Sequence, residues 1–412
     1  MDFEKYDITA PDADLKKDGK TAEVSFEDTE IAFSSKSDAD LRRAYLLFKV
    51  IGNGTMTALG KYATQFALWL RLPIKGMVKA TIFKQFVGGE TIPACAPTIA
   101  MLDKYNIGTI LDYSVEGRVD EKELDANMEK ILETAELSAS NASIPYCVFK
   151  VSGLAKNKIL EKVSRDAKLT EKEARMHRNA VNRVDTICRK TFEAGTAVFI
   201  DAEESWIQPA IDRIAEEMMR KYNRKRAIVH NTVQMYRHDR LAHLLEQHQK
   251  AKDGGYYYGV KIVRGAYMEK ERERAREKGY PDPIQPDKES TDRDFNAAVV
   301  YCIENLDRIE FCAGTHNEES CMLLAAELVR HGYARNDRRA YSAQLLGMSD
   351  HISFNLSAAG FNVAKYVPFG PVREVMPYLI RRAEENTSVS GQTGRELGLI
   401  VREIKRRRKV RT

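Results

Sequence analysis

Residues 197–236, AVFIDAEESWIQPAIDRIAEEMMRKYNRKRAIVHNTVQMY, contain one repeat of a pattern that fills most of the chain. A short apolar run, AVFID, stops on a lone Asp201. A charged amphipathic stretch, 205–222, follows it, and a second β-branched run, AIVHNTVQMY (227–236), closes the unit. The outer segments read as strands and the middle one as a helix. Strand, helix and strand in succession predict two parallel strands joined by a crossover.

Working outward, the same texture recurs at GTILDYSV (108–115), PYCVFKV (145–151), GVKIVRGAY (259–267), IEFCAGTH (309–316), AYSAQLLGM (340–348) and NVAKYVPFG (362–370). With the two runs above, that makes eight. Helical stretches fall between them at 119–140, 170–194, 237–252, 291–307 and 318–332. No G-x-G-x-x-G turn is present, so an open dinucleotide-binding sheet is disfavoured and a closed, distorted (β/α)8 TIM barrel over residues 105–395 is predicted. Ahead of it, residues 1–104 read as an N-terminal arm and a helical accessory region. The arm, 1–40, is polar and reads as loosely ordered; helical sets follow from Asp40, from Thr57 to Leu72 and from Ile74 to Phe86. Residues 396–412 read as a basic C-terminal tail.

The net charge of +5 is concentrated in that tail: REIKRRRKVRT (402–412) carries +6, which leaves the other 401 residues at about −1. A body without general basic character does not indicate nucleic-acid binding. The tail reads as a solvated, frayed helix, with contact to anionic lipid as the alternative. The six cysteines include no C-x-x-C pair, and several sit in apolar contexts, as expected of reduced core residues. The acidic start, MDFEKYDITAPDAD, resembles neither a signal peptide nor a basic transit peptide. The stretch Tyr62 to Ile74 is too short and too interrupted to span a bilayer.

Barrel enzymes work at the C-terminal ends of their strands. Here those ends carry Lys150, Asp201, Gln234, Arg264 with Tyr267, Thr315 with His316, Gln344 with Leu345, and Tyr366. Lys150 and Asp201 fall on neighbouring strands, where an ion pair would lower the cost of holding either charge in a partly dry pocket. After the last strand, GPVREVMPYLIRRAEEN contains Arg381 and Arg382, about 100° apart on a helix, with Glu385 in reach of Arg381. Two readings stay open: a surface Arg/Glu helix, or a fork of guanidiniums suited to a carboxylate. His238, His243 and His248 are five apart, which is not a metal-ligand spacing on a helix, and no metal is expected. Neither a G-x-S-x-G elbow nor a P-loop occurs, which excludes serine hydrolases and nucleoside-triphosphate enzymes.

DAEESWIQPAI (201–211), KIVRGAYMEKERERA (261–275), GTHNEES (314–320), QLLGMSDHISF (344–354) and KYVPFGPVREVMPYLIRRAEEN (365–386) together resemble the proline dehydrogenase family, in order, from about residue 145 to 390. FVGGET (86–91) is similar to a segment that precedes the barrel in that family. The resemblance is to the monofunctional, mitochondrial-type branch. It implies noncovalent FAD, hydride transfer from L-proline to flavin N5, 1-pyrroline-5-carboxylate as product, and a membrane quinone as electron acceptor. The implied location is cytoplasmic and peripheral on the inner face of the membrane, or the matrix side in a mitochondrion. Arg381, Arg382 and Lys150 would grip the proline carboxylate, with Asp201 behind Lys150; Tyr267, Leu345, Tyr366 and Tyr378 would shape the ring pocket. Flavin contacts would come from Ala202, Gln234, Lys261, Arg264, Gly265, Ala266, Thr315, His316 and Glu385. Lys261 stands where many bacterial members have Arg near flavin N5, and it shares the catalytic role with Asp201. The rival readings are 4-hydroxyproline or another cyclic amine as substrate and, from a different class, a nucleic-acid-binding regulator using KRRRKVR.

Overall fold

The structure, a computed structural model, describes residues 24–52, 75–113, 120–388 and 392–411, apart from the side chains of 75, 77 and 383–393. Eight parallel strands close on themselves: β1 (Ile107–Tyr113), β2 (Tyr146–Lys150), β3 (Ala197–Asp201), β4 (Val229–Gln234), β5 (Tyr258–Val263), β6 (Ile309–Gly314), β7 (Ala340–Leu345) and β8 (Val363–Phe369). Each pairs with its sequence neighbours, and β8 returns to β1. All eight expected runs form strands, and the expected crossovers appear as helices, among them Glu121–Ser140, Glu171–Ala194 and Glu318–Arg330. Their ends are chemically marked. Thr170 and Glu173 close a capping box at the start of Glu171–Ala194, which stops at Gly195 with φ 69°.

The period of two along each strand sorts its side chains into two layers. Cys147, Phe149, Val198, Ile200, Val260 and Ile262 face outward into the main core under the helices. Tyr146, Val148, Ala197, Phe199, Ala364 and Tyr366 face the lumen and form a second cluster. The lower lumen is plugged by aromatic rings: Tyr146 stacks on Phe199 at 4.2 Å, and His230 and Tyr341 meet Tyr146 edge-on. By the same alternation Lys150, Asp201 and Lys261 belong to the lumen, not to the outer core.

Two expectations need correction. Residues 24–40 are not loosely ordered: Val24, Phe26 and Phe33 are buried, and Asn355 Nδ2 donates to Asp28 O at 3.2 Å. The basic tail does not fray either. It belongs to the helix Gln392–Arg411, which packs on the helix Asp38–Ile51 with Leu399 and Ile400 buried. Arg395 and Arg402 pair with Glu27, Arg406 with Glu30 at 2.9 Å, and Arg407 and Arg411 with Asp38 at 3.1 and 2.6 Å. Folding thus places acids from the N-terminal arm against the tail's bases. The expected helix Thr57–Leu72 lies outside the described residues; 75–86 is helical, with a π-helical turn at Lys79–Phe83. Among the described residues no helix is long and apolar enough to cross a membrane. All six cysteines are buried and unpaired, and burial pushes the Cys147 thiol up to about 11.

These contacts make the tail structural. A chain ended at Gly398 is expected to lose stability on the order of 3–6 kcal/mol from the burial of Leu399 and Ile400 alone. The exposed ion pairs add little. Denaturant unfolding of the shortened chain checks this, and an unchanged midpoint would show that the docking contributes nothing.

Candidate active site

Four strands bring their lumen side chains to one point. Register sets Lys150 beside Asp201, and Lys150 Nζ lies 3.5 Å from Asp201 Oδ2, the ion pair expected from the sequence. Lys261, 5% exposed, reaches from β5 to the other oxygen of Asp201. It also donates to the Tyr366 hydroxyl of β8 at 2.6 Å, while Tyr366 donates to Asp201 Oδ1 at 3.1 Å. The Lys261 ammonium stands 4.6 Å from the Tyr366 ring centre and 5.3 Å from that of Phe199, so the lumen's aromatic layer supports its charge.

Burial works to raise the Asp201 pKa, but Lys261 and Lys150 overcome it and hold the carboxyl below its usual range. The Tyr366 phenol is pushed well above 10 by burial and then by Asp201, so it stays protonated. Asp112, at the end of β1, completes the group 3.9 Å from Lys150. Its signal in the sequence is the same as that of Asp201: in GTILDYSV it is a lone acid in an apolar run, as Asp201 is in AVFID.

A second group sits at the ends of β4 to β6. Arg264 is fixed by Asp292 (2.7 Å), Thr315 Oγ1 (2.6 Å) and Ser320 Oγ (2.9 Å), with its guanidinium 4.3 Å from the Phe295 ring. Gly265 has φ 139°, and a Cβ there would stand 2.5 Å from the Tyr236 ring, so only glycine makes this turn. Gly265 and Ala266 are exposed at the mouth, and Tyr267 is half-buried at the start of the Met268–Lys278 helix. Gln234 donates to Glu203 O at 2.8 Å, next to the buried Ala202. Burial, followed by the charges of Lys365 and Arg382, lowers His316 to about 3, so its imidazole is neutral.

The third group lies on the helix Val372–Ser388. Arg382 is buried, not a surface residue, and its guanidinium is 5.2 Å from the Tyr378 ring centre. Tyr378 packs in one apolar cluster with Leu345, and Leu345 also touches the lumen cluster that contains Tyr366. Arg381 is half-buried. The Glu385 side chain, and with it the expected pairing to Arg381, lies outside the described residues. Among the described residues no group of three His, Cys, Asp or Glu could hold a metal ion.

Sequence reading also missed Glu203, whose buried carboxylate accepts from Ser152 N at 2.9 Å and from the Ser152 hydroxyl. Burial pushes it up to about 7 against those donors. A carboxyl with a raised folded-state pKa stabilises most below its unfolded value, and that contribution is lost as pH rises through about 7. Glu203→Gln should therefore be more stable than wild type by roughly 2–4 kcal/mol at pH 8 and little different at pH 4.5. Parallel pH–stability curves for the two proteins would refute a buried, proton-holding Glu203.

The family model described as proline dehydrogenase matches residues 95–395. The carbapenem antibiotics biosynthesis protein CarD of Pectobacterium carotovorum subsp. carotovorum is 37% identical over 366 residues, covering 88% of this chain and 94% of that protein. Proline dehydrogenase 1, mitochondrial, of Drosophila melanogaster is 38% identical over 251 residues, 58% of this chain but only 37% of its own length. Hydroxyproline dehydrogenase of Xenopus laevis is 31% identical over 425 residues, covering 93% of this chain and 90% of that protein.

Proposed function

The chain belongs to the proline dehydrogenase family, and on that premise we propose that it oxidises L-proline to 1-pyrroline-5-carboxylate with FAD as the electron acceptor. The observation that carries this reading is the convergence of Lys150, Asp201, Lys261 and Tyr366, from four strands, on one point in the lumen. The mouth around it fits a flavin. Gly265 makes a turn with no room for a side chain, a fixed Arg264 stands beside it, and Gln234 and Thr315 supply polar atoms. Ala202, Gln234, Lys261, Arg264, Gly265, Ala266, Thr315 and His316 would hold the cofactor. FAD, when bound, supplies the hydride acceptor at N5.

The chain's own residues do the rest. Arg382, stacked on Tyr378, grips the substrate carboxylate together with Arg381 and Lys150. Tyr366, Leu345, Tyr378 and Tyr267 wall the ring and exclude water. Asp201 pairs with both Lys150 and Lys261 and aims them. Lys261 would place a positive charge beside the flavin, where negative charge gathers as the hydride arrives, in a site too dry to weaken that effect. We extend the proposal to a quinone as the final electron acceptor, with the chain peripheral on the membrane's inner face. The test is the visible spectrum of purified protein: a flavin band that L-proline bleaches supports the reading, and a band indifferent to L-proline overturns it.

Proline is favoured over 4-hydroxyproline because the Tyr366 hydroxyl is already engaged by Lys261 and Asp201. A ring hydroxyl would meet an occupied donor or an apolar face, a penalty of roughly 1–3 kcal/mol and hence about tenfold or more in kcat/KM. Tyr366→Ser is expected to narrow that preference, mainly by losing activity on proline. Measuring both substrates on both proteins checks this, and an unchanged ratio removes Tyr366 from the pocket wall.

A further inference from the structure

The segment after β7, residues 346–350, is held from four other parts of the chain. Gln85 Nε2 donates to Gly347 O at 2.8 Å, and a Cβ on Gly347 would stand 2.0 Å from Gln85 O. Lys365 of β8, with no exposed surface, donates to Met348 O at 2.6 Å and pairs with Asp350 at 2.9 Å. Lys36 from the N-terminal arm reaches the other oxygen of Asp350 at 3.3 Å. The fourth hold is Glu396, on the Gln392–Arg411 helix, whose carboxylate accepts from Ser349 N.

Ser349 is the point where these holds matter. It is fully buried and sits in the left-handed region, φ 49°, which a non-glycine residue keeps only when its surroundings enforce it. In that conformation its Oγ stands 3.0 Å from His316 Nδ1. Docking a helix does not call for a buried carboxylate; apolar side chains dock as well, without the cost of removing charge from water. Glu396 is 4% exposed, and the backbone N–H it accepts belongs to the strained residue that touches His316.

We infer that Glu396 is a positioning residue: by fixing Ser349 from the last described helix, it sets His316 against the flavin and Leu345 against the substrate. The inference deepens the proposed function and rests on it. It makes a residue on the helix that follows the barrel part of the pocket's geometry.

The test compares holoenzymes of wild type, Glu396→Ala, Glu396→Gln and Ser349→Gly. Glu396→Ala should raise amide exchange in the 345–352 segment about tenfold or more, and shift the flavin absorption band. Its affinity for added FAD should fall by about fivefold or more. Glu396→Gln keeps an accepting oxygen and should stay within about twofold of wild type in both. Ser349→Gly removes the hydroxymethyl group and suits the left-handed backbone, so it should reproduce the flavin change with no loss of thermal stability. Wild-type flavin spectra and FAD affinity in Glu396→Ala and Ser349→Gly overturn the inference. So does a loss of FAD in Glu396→Ala that matches its unfolded fraction while Ser349→Gly is normal. A wild-type flavin that L-proline does not bleach overturns the substrate reading instead, and the exchange and FAD measurements still decide the role of Glu396.

Discussion

Arg382→Met is expected to lower kcat/KM for L-proline by about 10- to 150-fold, mostly through KM, while FAD content stays near wild type. Methionine keeps the length and apolar stem of the side chain, so the packing of Tyr378 and the helix Val372–Ser388 should survive. What disappears is a buried cation 5.2 Å from an aromatic ring, the environment in which a charge-assisted bond to a carboxylate is strongest. Losing such a bond costs on the order of 1.5–3 kcal/mol. Arg381→Met should act in the same direction, and more weakly, because Arg381 is only half-buried. Steady-state kinetics with flavin content measured on the same samples makes the check. Unchanged proline kinetics in both variants would reduce the pair to a structural contact.

The second large effect belongs to Asp201. Asp201→Ala takes from Lys150 and Lys261 the carboxylate they share, and breaking a buried pair in this way costs roughly 3–5 kcal/mol of stability. Activity should fall by on the order of a hundredfold or more, since both lysines lose the group that aims them. Asp201→Asn keeps the shape and removes the charge. If charge is what matters, Asn should be nearly as defective as Ala in kcat and partly recovered in stability. The sign of the pH dependence also follows. The folded-state pKa of Asp201 is depressed, so its contribution is present above the unfolded value near 4 and lost only as pH falls through the lower folded value. The stability gap between wild type and Asp201→Asn should therefore be constant from about pH 5 upward and close in acid. A gap that opens between pH 6 and 8 would mean that another group carries the effect.

The strands and crossover helices could be read in the chain because their signals are local. AVFID and PYCVFKV are apolar over one strand length, and 171–194 keeps a helical period between a capping Thr170 and a stopping Gly195. Eight repeats of such a pattern determine a closed barrel, and a barrel determines that its working end lies where the strands stop. On that basis Lys150, Asp201, Gln234, Arg264, Thr315 and Tyr366 could be named without coordinates. Their neighbours could not. Asp201 is shared between Lys150 and Lys261 because β2, β3 and β5 turn alternate side chains into one lumen, and that sharing depends on register. The tail offered the same difficulty in reverse. REIKRRRKVRT alone is a cluster of mostly repelling charges, and only folding brings Glu27, Glu30 and Asp38 to meet its arginines, from more than 360 residues away in sequence. Periodicities that span a few residues are enough to specify the barrel and the ends of its strands. Which charges meet, and that Lys36 and Glu396 reach the neighbouring residues Asp350 and Ser349, follows from tertiary structure. Electrostatic partners and buried hydrogen bonds are chosen by proximity in space, which no local pattern encodes.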